Sequence, residues 1–116
     1  MNIEEYLLNK FIAEFDYPTF LEYPDGLTAP FIVIDVTGVK PLGPSVYQAV
    51  VAFQSYAQSK YETSELNRAV IETAKELIKN DEIGAADLDT YTPYPDVLRK
   101  KYRYQAVFNI VYYDYL

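Results

Sequence analysis

The chain has 116 residues, 50% of them apolar and 23% charged, enough for one domain whose core needs neither disulfide nor metal. Ten basic residues against 17 acidic ones leave a net charge of −7, a surface sign that repels phosphate backbones, so no specific nucleic-acid binding is expected. Cysteine and histidine are both absent, which removes disulfides, thiolate nucleophiles, thiolate metal sites and the commonest general base.

No apolar run approaches the roughly 18 residues of a membrane span, and Met1-Asn2-Ile3-Glu4-Glu5 lacks the basic start of a signal peptide, so synthesis in the cytoplasm without membrane contact is expected. Thirteen tyrosines stand against six phenylalanines and no tryptophan. Tyrosine suits surfaces that are wet when free and buried on assembly, and it also serves in cores and on sheet faces.

Ile3, Tyr6, Leu7, Phe11 and Phe15 recur at helical spacing, which predicts an amphipathic helix over 3–15 with Asn2 as N-cap. Residues 16–29 hold Pro18, Pro24 and the Asp25-Gly26 turn pair, and predict a loop with at most a short strand around 19–22. The near-continuous apolar run Phe31-Ile32-Val33-Ile34-Asp35-Val36-Thr37 predicts a strand covered on both faces. Gly38 to Pro44 reads as a connection, followed by an alternating strand over 46–57. Ser59 with Glu62 fits a capping box, and the stripe of Leu66, Ala69, Val70, Ala74, Leu77 and Ile78 predicts a helix over 61–80. Leu88 to Thr92 predicts a short strand before a Pro93-Tyr94-Pro95-Asp96 turn, and the alternation of Tyr104, Ala106, Phe108, Ile110 and Tyr112 predicts a long strand over 102–113. The expected fold is a single α/β (α+β) domain over 1–116: one mixed or antiparallel sheet of about three to four strands with two helices packed on it. The segments 38–45 and 81–101 lack apolar periodicity and are expected to be mobile until assembly orders them.

Motifs for chemistry are sparse. The glycine- and proline-rich stretch 38–45 has no Gly-Lys-Ser/Thr ending, and its prolines remove donors that a phosphate cradle needs. Asp87, Asp89 and Asp96 lack the ligand spacing of a calcium loop and read as a solvated acidic stretch. Asp35 with Glu22 or Asp114 would be the carboxylate pair for acid and base work, but no sequence spacing joins them. Neither a catalytic set nor a cofactor or metal site is expected. The concentrations of positive charge are Lys40 and Arg99-Lys100-Lys101 with Arg103. With Tyr91 and Tyr94 they form the candidate interface, Lys40, Tyr91, Tyr94, Arg99, Lys100 and Lys101, set against a solvated turn as the plainer alternative.

The segments Ala49-x-x-Ala52-Phe53-Gln54-Ser55-Tyr56-Ala57-x-Ser59, Glu65-Leu66-Asn67 and Arg103-Tyr104-Gln105-Ala106-Val107-Phe108 together resemble the tail terminator, or head-to-tail joining, family of long-tailed bacteriophages and prophages. The likeness runs from the first helix to the terminal strand. It implies a structural neck protein of the virion, assembled in the host cytoplasm, that forms a ring, usually of six subunits, capping the tail tube. Copies of itself, the major tail protein and a head-completion protein are the implied partners; catalysis and cofactors are not implied. The free subunit is compatible with a monomer. A head-completion or adaptor protein of the neck, a prophage-encoded regulator that binds a host protein, and a carboxylate enzyme stand as alternatives.

Overall fold

The computed structural model describes residues 1–114. In chain order the elements are α1 (Ile3–Glu14), β1 (Thr19–Phe20), β2 (Phe31–Gly43), β3 (Val46–Ala57), α2 (Lys60–Glu76) with a 3-10 turn at Leu77–Lys79, β4 (Ile83–Pro93) and β5 (Tyr102–Tyr113). One five-stranded sheet results, in the order β1-β2-β3-β5-β4. The β1–β2 pair is parallel and the other three are antiparallel, so the sheet is mixed. Both helices lie on one face, and no helix among the described residues is long and apolar enough to cross a membrane.

Asn2 caps α1 through its side chain, which accepts the Glu5 N–H. Ser59 caps α2 by accepting the Glu62 N–H at 3.0 Å, while the Thr63 hydroxyl donates to the Ser59 carbonyl at 2.6 Å. One backbone N–H that lacks an intrahelical partner is thereby satisfied at the start of each helix. Ser59→Ala is expected to cost about 1 kcal/mol in urea denaturation, the usual loss for an N-cap hydroxyl.

The main core is the meeting of α1 and α2 with the inward residues of β2, β3 and β5. A row of rings runs through it: Phe11 stacks on Phe53 with centroids 4.9 Å apart, and Phe53 meets Phe108 edge-on at 5.6 Å. A second cluster sits on the opposite sheet face, where Phe20 and Tyr23 of the 16–30 segment fold over Ala29, Phe31, Val33 and Tyr56. Phe31 to Ile34 are therefore buried from both sides, as their unbroken apolar run predicts. The rest of that face stays partly open, and its central strands carry amide pairs, Gln48 with Asn109 and Gln54 with Gln105, instead of charges.

Three expectations need correction. The sheet has five strands, since β1 is a true two-residue strand and β4 is long. Residues 38–43 are not a connection: β2 continues through them, paired with β3 as far as Gly43 opposite Val46, and the turn is only Pro44-Ser45, with Ser45 at φ 60°. Gly38 and Pro41 masked the strand, yet both suit it, because β2 past Val33 is a sheet edge and bulges occur between Val36 and Gly38 and between Pro41 and Gly43. Likewise 81–101 is largely strand, with Ile83–Pro93 paired along β5. In both segments, expected to be mobile, most of the backbone is tied into the ladder, 38–43 against β3 and 83–93 against β5.

Candidate docking site

Pro93 ends β4 and Tyr102 begins β5, but the ladder runs one step further before the chain turns. The Tyr94 N–H donates to the Arg103 carbonyl at 2.8 Å, and Asp96 and Lys101 exchange two backbone hydrogen bonds of 3.0 and 3.1 Å. The turn is thus Val97-Leu98-Arg99-Lys100, closed by Lys100 in the left-handed region at φ 54°. The tight turn expected at 93–96 belongs instead four residues later.

Asp96 anchors this loop from inside. It is 4% exposed, and its Oδ1 accepts the Arg99 N–H at 3.2 Å while Oδ2 accepts Arg99 Nη1 at 3.1 Å. Arg103 Nη1 lies 3.8 Å from the same Oδ2 and donates to the Tyr56 hydroxyl at 3.1 Å; that hydroxyl donates onward to Asp96 at 3.4 Å. Burial pushes the Asp96 carboxyl up, but the Arg99 N–H, the Arg99 guanidinium and the Arg103 charge together outweigh it and hold the pKa below the ordinary value. Burial raises the Tyr56 hydroxyl above its usual range, against the opposing pull of Arg103, so it remains a donor at neutral pH.

Both arginines are also seated on rings. The Arg99 guanidinium lies 3.9 Å from the Tyr23 centroid, and that of Arg103 lies 4.3 Å from Tyr94. Tyr23 in turn meets Phe31 and Tyr56, which stack on each other at 4.7 Å. The loop therefore rests on the second apolar cluster.

What it displays is apolar and cationic. Val97 is 80% exposed and Leu98 94%, the two barest large aliphatics among the described residues. Lys100 beside them is exposed and Lys101 half-buried. A concavity of about 460 Å³ lies between the loop and the first turn of α2, with Lys60, Lys100, Lys101 and Arg103 in its walls, so this end of an acidic molecule is locally positive.

The six candidate interface residues do not form one patch. Tyr91, Tyr94, Arg99, Lys100 and Lys101 gather at the β4–β5 end, with Tyr91 56% and Tyr94 49% exposed. Lys40 pairs with Gln48 near the β2–β3 turn, eight residues along β3 from Tyr56, roughly 25 Å away at about 3.3 Å per residue. Arg99 is committed internally to Asp96 and Tyr23, which leaves the two lysines as the outward charges.

Val97 and Leu98 escaped the sequence reading; two aliphatics outside any periodic pattern, between a proline and a basic run, were the available signal. Asp96, expected in a solvated acidic stretch, is instead buried because Arg99, Arg103 and Tyr56 close over it. Of the acidic residues weighed for chemistry, Asp87 and Asp89 lie exposed on β4, and Asp35 is exposed on β2. Asp114 pairs with the Met1 amino group near the β2–β3 turn. Among the described residues no group of three carboxylates could hold a metal ion. Comparison with protein-family models and with curated proteins gave no match.

Proposed function

We propose that this chain is a structural protein of phage morphogenesis, a tail terminator or head-tail joining protein that acts as a ring of copies, docks on one end of the tail tube and stops its polymerisation. The observation that carries the reading is the loop 97–100, held rigidly by a buried carboxylate while Val97 and Leu98 stand bare in solvent. Fixing the backbone of one residue costs about 1–2 kcal/mol, so a loop whose backbone is set in advance associates without that loss. Exposed tyrosines on the same end, Tyr91, Tyr94 and Tyr102, fit a surface meant to be covered.

The resemblance of 49–59, 65–67 and 103–108 to the tail terminator family supports the particular role. Under it the partners are further copies, the major tail protein and a head-completion protein, the protein resides in the virion neck, and no cofactor takes part. A net charge of −7 suits a channel through which DNA slides without adhering. Deleting the gene from its phage and imaging the lysate is the test: filled heads beside unattached tails of irregular, often excessive length are expected. Tails of normal length that fail to join heads would move the chain to the head-completion role, and intact infectious particles would remove both.

A further inference from the structure

The loop at 97–101 has a counterpart on the same chain. Across the first turns of α2, on the side away from the loop, a groove of about 430 Å³ opens between the end of α1 and the start of α2. Its floor is apolar, built by Phe15, Ala57 and Leu66. Its rim carries four carboxylates, Glu14, Asp16, Glu62 and Glu65, with no lysine or arginine among its lining residues. The loop offers the inverse pattern, two bare aliphatics followed by cations.

We propose that Val97 and Leu98 of one copy insert into this groove of a second copy, with Lys100 and Lys101 set against the carboxylate rim. The proposal rests on the reading above that the chain assembles with itself, and it names the two surfaces that meet. Four observations favour a second copy as the occupant. First, two molecules of charge −7 repel, so self-association must place a positive region on a negative one, and these are such regions. Second, both halves of the complementary pair reside on one chain. Third, exposed tyrosines stand on both surfaces: Tyr17 and Tyr61 wall the groove, while Tyr102 lines the loop's concavity.

The fourth is geometric. Lys60 and Thr63 of α2 face the loop's concavity, whereas Tyr61, Glu62 and Glu65 face the groove. Loop and groove thus open on different sides of α2, so a chain does not fill its own groove with its own loop, and the ring of the proposed function takes one neighbour on each side. The contact is heterologous, each copy giving a loop to one neighbour and a groove to the other, and it generates a closed ring when the rotation returns to its start.

The absence of cysteine makes the test clean, because engineered thiols are the sole thiols present. Leu98→Cys and Ala69→Cys, both at exposed positions, are prepared as separate chains, with Lys40→Cys near the β2–β3 turn as the control. A short bismaleimide is added to mixtures at the highest soluble concentration. The 98–69 adduct is expected in clear excess over the 98–40 adduct, and a chain carrying both cysteines should give a ladder of covalent multimers.

Adding Lys100→Glu and Lys101→Glu to the Leu98→Cys chain should weaken association about tenfold and reduce the adduct accordingly. Glu14→Lys and Glu65→Lys in the groove-bearing chain should restore it; a lysine at position 14 also suits the last turn of α1, so this swap does not endanger the fold. A 98–69 yield no higher than the 98–40 control overturns the proposal, whether the protein stays monomeric or associates by another face. Adduct without rescue by the charge swap overturns the assignment of the lysines to the rim. The two readings separate: a robust adduct from a phage whose deletion leaves tails normal keeps the contact and removes the tail role, while overlong tails without adduct do the reverse.

Discussion

Phe108→Ala is expected to cost about 3–5 kcal/mol of folding stability, the range for truncating a fully buried phenylalanine. Phe108 lies on β5, flanked in the sheet by Val51 of β3 and Leu88 of β4, and it is 0% exposed. Its ring meets Phe53 edge-on, and Phe53 stacks on Phe11, so the substitution opens a cavity at the end of a ring row that fastens α1 to the sheet. Little can collapse into the space, because neighbouring strands hold their positions through the ladder. Urea denaturation of the variant checks the value. A loss below roughly 1 kcal/mol, the range of surface substitutions, would contradict this account of the core.

Asp96→Asn should show the second largest effect, about 2 kcal/mol at neutral pH. The carboxylate is 4% exposed and answers two guanidiniums, and Arg103, with a side chain 14% exposed, would be left facing a neutral amide. The figure stays below that of a fully buried pair because the Arg99 side chain is 44% exposed. The pH dependence has a definite sign. The folded pKa of Asp96 lies below its ordinary value of 3.8, so the stability it contributes is fully present above that value and is lost as pH falls through the folded pKa. The gap between the parent protein and Asp96→Asn should therefore be constant from neutral pH down to about 4 and then close. Parallel denaturation curves over that range measure it, and a gap that persists unchanged at lower pH would show that the asparagine acts through packing instead of charge.

The parts of the fold that the sequence made legible are those where one periodicity governs a whole element. Leu66, Val70 and Ala74 point one way along α2, and Ala106, Phe108, Ile110 and Tyr112 do so along β5, because each element meets the core with a single face. The strands at 38–43 and 83–86 lay hidden for a shared physical reason. Both sit on strands with an open edge, where fewer ladder bonds and less burial let glycine and proline enter, and both contain bulges that break the alternation.

The docking end was half legible. Charge marked Lys100 and Lys101, and nothing local marked Asp96, whose burial depends on Tyr56 and Arg103 arriving from other strands. Position in sequence likewise put Lys40 beside no particular neighbour; only the register of β2 against β3 sends it to the opposite end.

The bulges and prolines of the outer strands bear on how this protein meets others. A sheet edge with a regular row of free N–H and C=O groups recruits further strands and grows without limit. Here β1 covers β2 at only Thr19–Phe20, and the remainder of that edge is interrupted by Gly38, Pro41 and two register shifts. The opposite edge, β4, is broken after Ile83 and Leu88, carries Asp87 and Asp89, and ends in Pro93. Neither border offers a template for main-chain zipping. Any assembly of this molecule must accordingly be written in side chains, whose shapes and charges fix a stoichiometry, and fibre-like extension of the sheet is closed to it.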